Sequence, residues 1–281
     1  MIPAATRPGA VRLQVADLAR SVAFYETVLG LRVHMRRAGL AVLGADGGEA
    51  VVQLVERAGA RRAPRSGLLG LFHVAYLLPE RAALGRFLRH VTDLGVPTGS
   101  SDHLVSEAIY LSDPDGLGIE VYADRPRATW IHEGGELAMA TEPLDVRALM
   151  KAAGEAPWAG APAGTVVGHV HLHVGDIDQA ASFYRDSLGL EPTVTGYPGA
   201  LFLSAGGYHH HLGLNTWASS APPAGPEDAR LLDWELRLPT VADAGDAVAR
   251  LELAGHTARR EGTSWLVPDP WGTALRISAG A

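Results

Sequence analysis

The chain contains a copy of itself. Asp17, Phe24, Tyr25, Leu29, Gly30 and Leu31 return as Asp176, Phe183, Tyr184, Leu188, Gly189 and Leu190, always 159 positions later. An offset that covers half of a 281-residue chain leaves two copies of one plan as the economical reading. Each half divides again. Val11–Val15 alternates as a strand, and Leu18, Val22, Tyr25 and Leu29 then follow at helical spacing, with Asp17 placed to cap and Gly30 to stop the helix. Ile177, Ala181, Tyr184 and Leu188 repeat that stripe after Asp176. Between these two units stands another: a strand over 71–77, a helix near 81–94 ending at Gly95, and strands over 106–112 and 119–123. A fourth runs from Leu231 through a helix over 241–254 to a strand over 274–278. One helix and three strands cannot close a core, so units must pair. The expected fold is α+β, with four βαβββ units in paired modules forming curved mixed sheets around a metal site. Residues 1–125 are expected as a first domain holding units one and two, and 166–281 as a second holding units three and four. The Ala-, Gly- and Pro-rich stretch 126–165 reads as a linker with one short helix over 144–153.

Composition narrows the function classes. A formal charge of −7 lacks the clustered cations that phosphate neutralisation needs, so nucleic acid is not an expected partner. No apolar run approaches the roughly 20 residues of a membrane span, and Met1–Pro8 has no apolar signal core. A cytoplasmic location is expected. With no cysteine there is no disulfide and no thiolate chemistry.

The chemistry concentrates at a few positions that differ between the copies. Gly168-His169-Val170-His171-Leu172-His173-Val174 reads as a strand with three histidines on one face, while Leu71-Phe72-His73-Val74 opens unit two at the matching point. After the turn Asp113-Pro114-Asp115-Gly116 comes Glu120, but after Asp269-Pro270-Trp271-Gly272 comes Arg276, and a cation is no metal ligand. Alone, each residue has a plain reading: a packed histidine, a solvent-facing glutamate. Together, two neutral imidazoles and a carboxylate make the facial set that leaves positions open on Fe(II).

On these residues the chain resembles the vicinal oxygen chelate superfamily (glyoxalase, bleomycin resistance protein, extradiol dioxygenase), and within it the two-domain branch similar to catechol 2,3-dioxygenase. The resemblance implies the vicinal oxygen chelate fold, with His169, His73 and Glu120 as metal ligands. It implies catalytic roles for Tyr110, ten residues before Glu120, for His103 in the preceding loop, and for His210 in Tyr208-His209-His210-His211, with His209 or His211 in that role if the register slips by one. Tyr110 as a core aromatic and the triplet as an exposed loop are the plain alternatives. Of the ligand-equivalent positions, units one and two offer Ala10, His73 and Glu120; units three and four offer His169, Asp233 and Arg276; only units two and three complete the set. That pairing crosses the linker, within one chain or between two, and a homo-oligomer is expected. The implied activity is opening of a small aromatic diol by O2 at non-haem Fe(II), with Mn(II) as the alternative ion. Trp217 and the Pro-rich stretch after it stand where they could cover a pocket. A glyoxalase- or epimerase-type lyase or isomerase, and a metal-free drug-binding resistance protein, are the competing classes on the same scaffold.

Overall fold

The opening strands of the units decide how the units meet. Arg7–Val15 is buried at nearly every position, which a strand achieves only when both of its faces are covered. It lies antiparallel to Arg230–Leu238 and parallel to Ala50–Glu56. Its copy, Val166–His173, lies antiparallel to Gly70–Leu77 and parallel to Leu212–Asn215. Unit one therefore joins unit four, and unit two joins unit three, within a single chain. The computed structural model describes residues 1–280 and contains two curled eight-stranded mixed sheets, the α+β vicinal oxygen chelate architecture. In the sheet of units two and three the strand order is Glu191–Val194, Ala200–Ser204, Leu212–Asn215, Val166–His173, Gly70–Leu77, Gly118–Asp124, Ser106–Ser112 and Gly99–Asp102.

The helices follow their apolar stripes. Leu18–Thr27 starts where the Asp17 carboxylate accepts the Arg20 N–H at 3.0 Å and buries Leu18, Val22 and Tyr25. Gly30 then takes a positive φ of 69°, and a Cβ there would meet Gly160 Cα at 2.5 Å. The third unit departs from its copy: Ile177–Ala181 opens into a wider helical turn over Ser182–Ser187, in which the Ser187 hydroxyl donates to the Ser182 carbonyl at 2.8 Å. Tyr184 and Leu188 stay fully buried despite the change.

Residues 126–165 do more than span. The helix here runs Val146–Ala152, shorter than the stretch 144–153, because the Asp145 carboxylate takes the Ala148 N–H and makes Asp145 the cap. Ahead of it, Asp102 and Glu142 exchange backbone hydrogen bonds at 2.9 Å, and Leu137, Trp130 and Met139 pack with Val105, Tyr197 and Phe202. The segment is thus laid across the sheet of units two and three. No helix among the described residues is long and apolar enough to cross a membrane.

Candidate metal centre

Three adjacent strands supply the central side chains. In Gly70–Leu77, Ala75 is the register partner of Glu120 on Gly118–Asp124, and His73 stands two residues earlier on the same face. His73 is in turn the register partner of His171 on Val166–His173, with His169 two residues away. The result brings His73 Nε2 to 2.9 Å from Glu120 Oε2, His169 Nε2 to 3.2 Å from the same oxygen, and the two imidazole nitrogens to 3.4 Å from each other. Ligands about 2.1 Å from one divalent ion stand roughly 3.0 Å apart at right angles and roughly 3.4 Å apart in a tetrahedron. The three donors therefore fit one ion. All three residues are buried, and among the described residues they form the one such cluster of histidine and acidic side chains.

The electrostatics match that reading. Burial pushes His169 down to about 4 against the pull of Glu120, so its imidazole is neutral with a lone pair to give. Burial also pushes the Glu120 carboxyl up, but the His169 and His73 rings outweigh it and hold the group well below the usual carboxylate range. Neutral nitrogen and ionised oxygen are the states in which these side chains bind metal. His169 Nδ1 is buried without a hydrogen-bond partner.

Around the cluster lies a cavity of about 330 Å³, walled by Phe72, Phe202, Tyr197 and Trp217 and reached by Tyr110, His103 and His210. Of the three consecutive histidines only His210 lines it. His209 turns to Asp124, and His211 Nδ1 accepts the Ala205 N–H at 3.2 Å. His210 packs against His169 at a tilt of 47° with ring centroids 4.0 Å apart, and burial holds it well below its ordinary value. His103 Nδ1 lies 2.7 Å from the Ala140 carbonyl, which can only accept, so Nδ1 carries the proton and Nε2 accepts from the Tyr110 hydroxyl at 2.5 Å. The turn that presents His103 contains Leu104 at φ 68°, rare for a residue with a side chain, and the Asp102 carboxylate accepts its N–H at 2.9 Å. Burial, then Glu120, raises the Tyr110 phenol well above its ordinary value.

Several wall residues escaped the sequence reading. His171 also lines the cavity, its Nε2 accepting from Asn215 Nδ2 at 3.0 Å, while Asn215 Oδ1 accepts from the Trp217 N–H at 3.1 Å and from His173 Nδ1 at 2.7 Å. His173 lines a neighbouring cleft rather than the cavity, while its ring, like that of His171, packs on Phe72. Met139, Ala140 and Thr141 of the 126–165 segment close another side. Trp217 lines the cavity, but the Pro-rich stretch after it does not; Ala224 borders the neighbouring cleft.

The other module shows what became of the equivalent position. Glu235 is the register partner of Arg276 as Ala75 is of Glu120, and Arg12 is the partner of Asp233 as His171 is of His73. Asp233 thus replaces one imidazole, Arg276 replaces the glutamate, and the two form an ion pair at 2.8 Å. Arg12 adds a second contact to Asp233 at 2.9 Å.

A family model for the glyoxalase/bleomycin resistance protein/dioxygenase superfamily matches residues 7–121 and 166–273, which is both copies without the linker. The chain belongs to this superfamily. Within it, a catechol-2,3-dioxygenase of Bacillus subtilis is 42% identical over 269 residues, 94% of each chain. Among solved structures, a Bacillus subtilis protein described as a candidate dioxygenase superposes with a TM-score of 0.65 at 18% identity, covering 99% of this chain and 86% of that one. Glyoxalase I of Zea mays follows at 0.58 and 16%, covering 97% and 92%. At such identities the structural matches speak for the superfamily fold alone.

Proposed function

We propose that this superfamily member is an extradiol dioxygenase, which opens a catechol-type aromatic diol with O2 at Fe(II) held by His73, Glu120 and His169. The observation that carries the reading is the convergence of two imidazoles and one carboxylate on a single point in a small aromatic-walled cavity that also holds His210 and Tyr110. The catechol-2,3-dioxygenase similar along 94% of the chain supports the same activity. A cavity of about 330 Å³ lies at the small end of ligand pockets, which span roughly 300–1,000 Å³, and suits a single-ring diol.

When bound, Fe(II) supplies the template and electronic path through which dioxygen reacts with the diol. The protein's part is positional. Phe72, Phe202 and Trp217 flank the ring and keep water out. With its O–H directed at His103, the Tyr110 oxygen keeps its lone pairs free to accept from a diol hydroxyl. Neutral His210 takes a diol proton and returns it as the ring opens. Both atoms of O2 end in the product, a muconic semialdehyde, so no external reductant is consumed.

The test is anaerobic purification, metal analysis, and addition of catechol and air. About one iron per chain is expected, with oxygen uptake matched by a yellow ring-opened product. Activation by zinc or nickel alone, with no oxygen consumed, would refute the reading.

A further inference from the structure

His210 is held from behind by a chain of side chains that none of the metal chemistry requires. Its Nδ1 lies 2.8 Å from Nδ1 of His209, whose Nε2 lies 3.0 Å from Asp124 Oδ1. The Tyr208 hydroxyl donates to the same carboxylate oxygen at 3.2 Å and lies 2.7 Å from the Tyr122 hydroxyl. His209 is fully buried under Trp130 of the linker segment, and the Thr193 hydroxyl donates to its carbonyl at 2.6 Å. Asp124 ends the strand that carries Glu120, on the same face four residues on, and its side chain is 26% exposed.

Donor and acceptor roles run through this chain in one direction. A carboxylate only accepts, so His209 Nε2 carries a proton; with one proton on each ring, His209 Nδ1 is bare and only accepts, and His210 Nδ1 is the donor of the pair. The proton of His210 is therefore committed to the rear, and its Nε2 is left bare with no partner among the described residues. We infer that Asp124 and His209 are positioning residues that hold His210 in the tautomer able to take a proton from the diol. This rests on the proposed role of His210. A histidine whose tautomer is set by the bond at its other nitrogen is a general arrangement, but here two successive members set it, and both lie outside the residues that line the cavity.

Two measurements test the inference. Long-range proton–nitrogen correlation spectra of the full chain labelled with 15N-histidine, with and without added zinc, should show His209 protonated at Nε2 and His210 at Nδ1. In steady state with catechol, His209→Leu and Asp124→Ala should lower kcat about 10- to 100-fold, the usual cost of losing an orienting partner, while KM moves less than about 3-fold. His209→Asn, whose amide oxygen sits near the lost Nδ1, should recover most of kcat. A proton found on His210 Nε2, or losses confined to KM, or no difference between the Leu and Asn variants at His209, would overturn the inference. Wild-type protein that opens no catechol would refute the proposed activity instead, and the spectra would still decide the tautomers.

Discussion

The ion pair in the module without histidines offers a quantitative test of what the two copies traded. Arg276 donates to Asp233 through Nε at 2.8 Å and to Glu261 at 2.7 Å, and the Asp233 side chain is only 3% exposed. Arg276→Met keeps the aliphatic stem but strips a buried carboxylate of its principal partner. Breaking a buried pair from one side costs roughly 3–5 kcal/mol when nothing else compensates. Here Arg12 still reaches Asp233 at 2.9 Å, which lowers the expected loss to about 2–3 kcal/mol. For a chain of this size that is a drop in thermal midpoint of roughly 3–5 °C. Asp233→Leu added to Arg276→Met should regain most of it, because an apolar pair of similar volume is about as stable as a buried ion pair. The assay is thermal and urea unfolding of wild type, both singles and the double, with iron content as control. A single variant within about 0.5 kcal/mol of wild type, or a double that loses as much as the two singles combined, would refute the account of this position as a charge pair replacing a metal site.

Glu120→Gln keeps the shape of the side chain but removes the only anionic donor, so iron should fall well below one per chain; His210→Ala should keep the iron and lose about 10²- to 10⁴-fold in turnover. Iron retained by the first or stripped by the second, read by metal analysis, would reverse these roles. Burial pushes His211 down to about 3, so it stays neutral in the fold but becomes charged on unfolding below its ordinary value near 6.5. Its contribution is present above pH ~6.5 and is lost as pH falls towards 3, and His211→Asn should flatten the fall in midpoint across that window; an unchanged slope in midpoint against pH would refute it. Residues 1–160 expressed alone hold His73, Tyr110 and Glu120 but lack the strand that pairs with Gly70–Leu77, so neither half should bind iron tightly and mixing should restore it, as measured by iron retention after desalting.

Much of this was legible because the copies differ. The 159-residue offset located units one and three, and apolar spacing at Leu18, Val22 and Tyr25 placed a helix within two residues of its observed end. His73, Glu120 and His169 could be picked out because their counterparts Asp233, Arg276 and Ala10 cannot bind metal as a set. The rest depended on register and on partners far away in sequence. His171 lines the cavity while His173 lines the neighbouring cleft, a division that alternation along one strand cannot foresee. Met139–Thr141 lies in a stretch with no periodicity, so nothing local marks it as a cavity wall. The link from His209 to Asp124 joins residues 85 positions apart.

The crossed pairing also sets an order for events at the ribosome. The strand Arg7–Val15 has its parallel neighbour Ala50–Glu56 early, but its other edge waits for Arg230–Leu238. At about 5–20 residues per second that wait is on the order of 10–45 seconds, during which an apolar edge stands open. The sheet bearing His73 and His169 closes first, since its last strand ends at Asn215. The two sheets are nested like brackets, and the inner pair holds the candidate metal ligands. A nascent chain halted near residue 220 would already contain every strand of the sheet that carries His73 and His169 while its first strand still lacked a partner, which makes that stage of synthesis the one most exposed to aggregation.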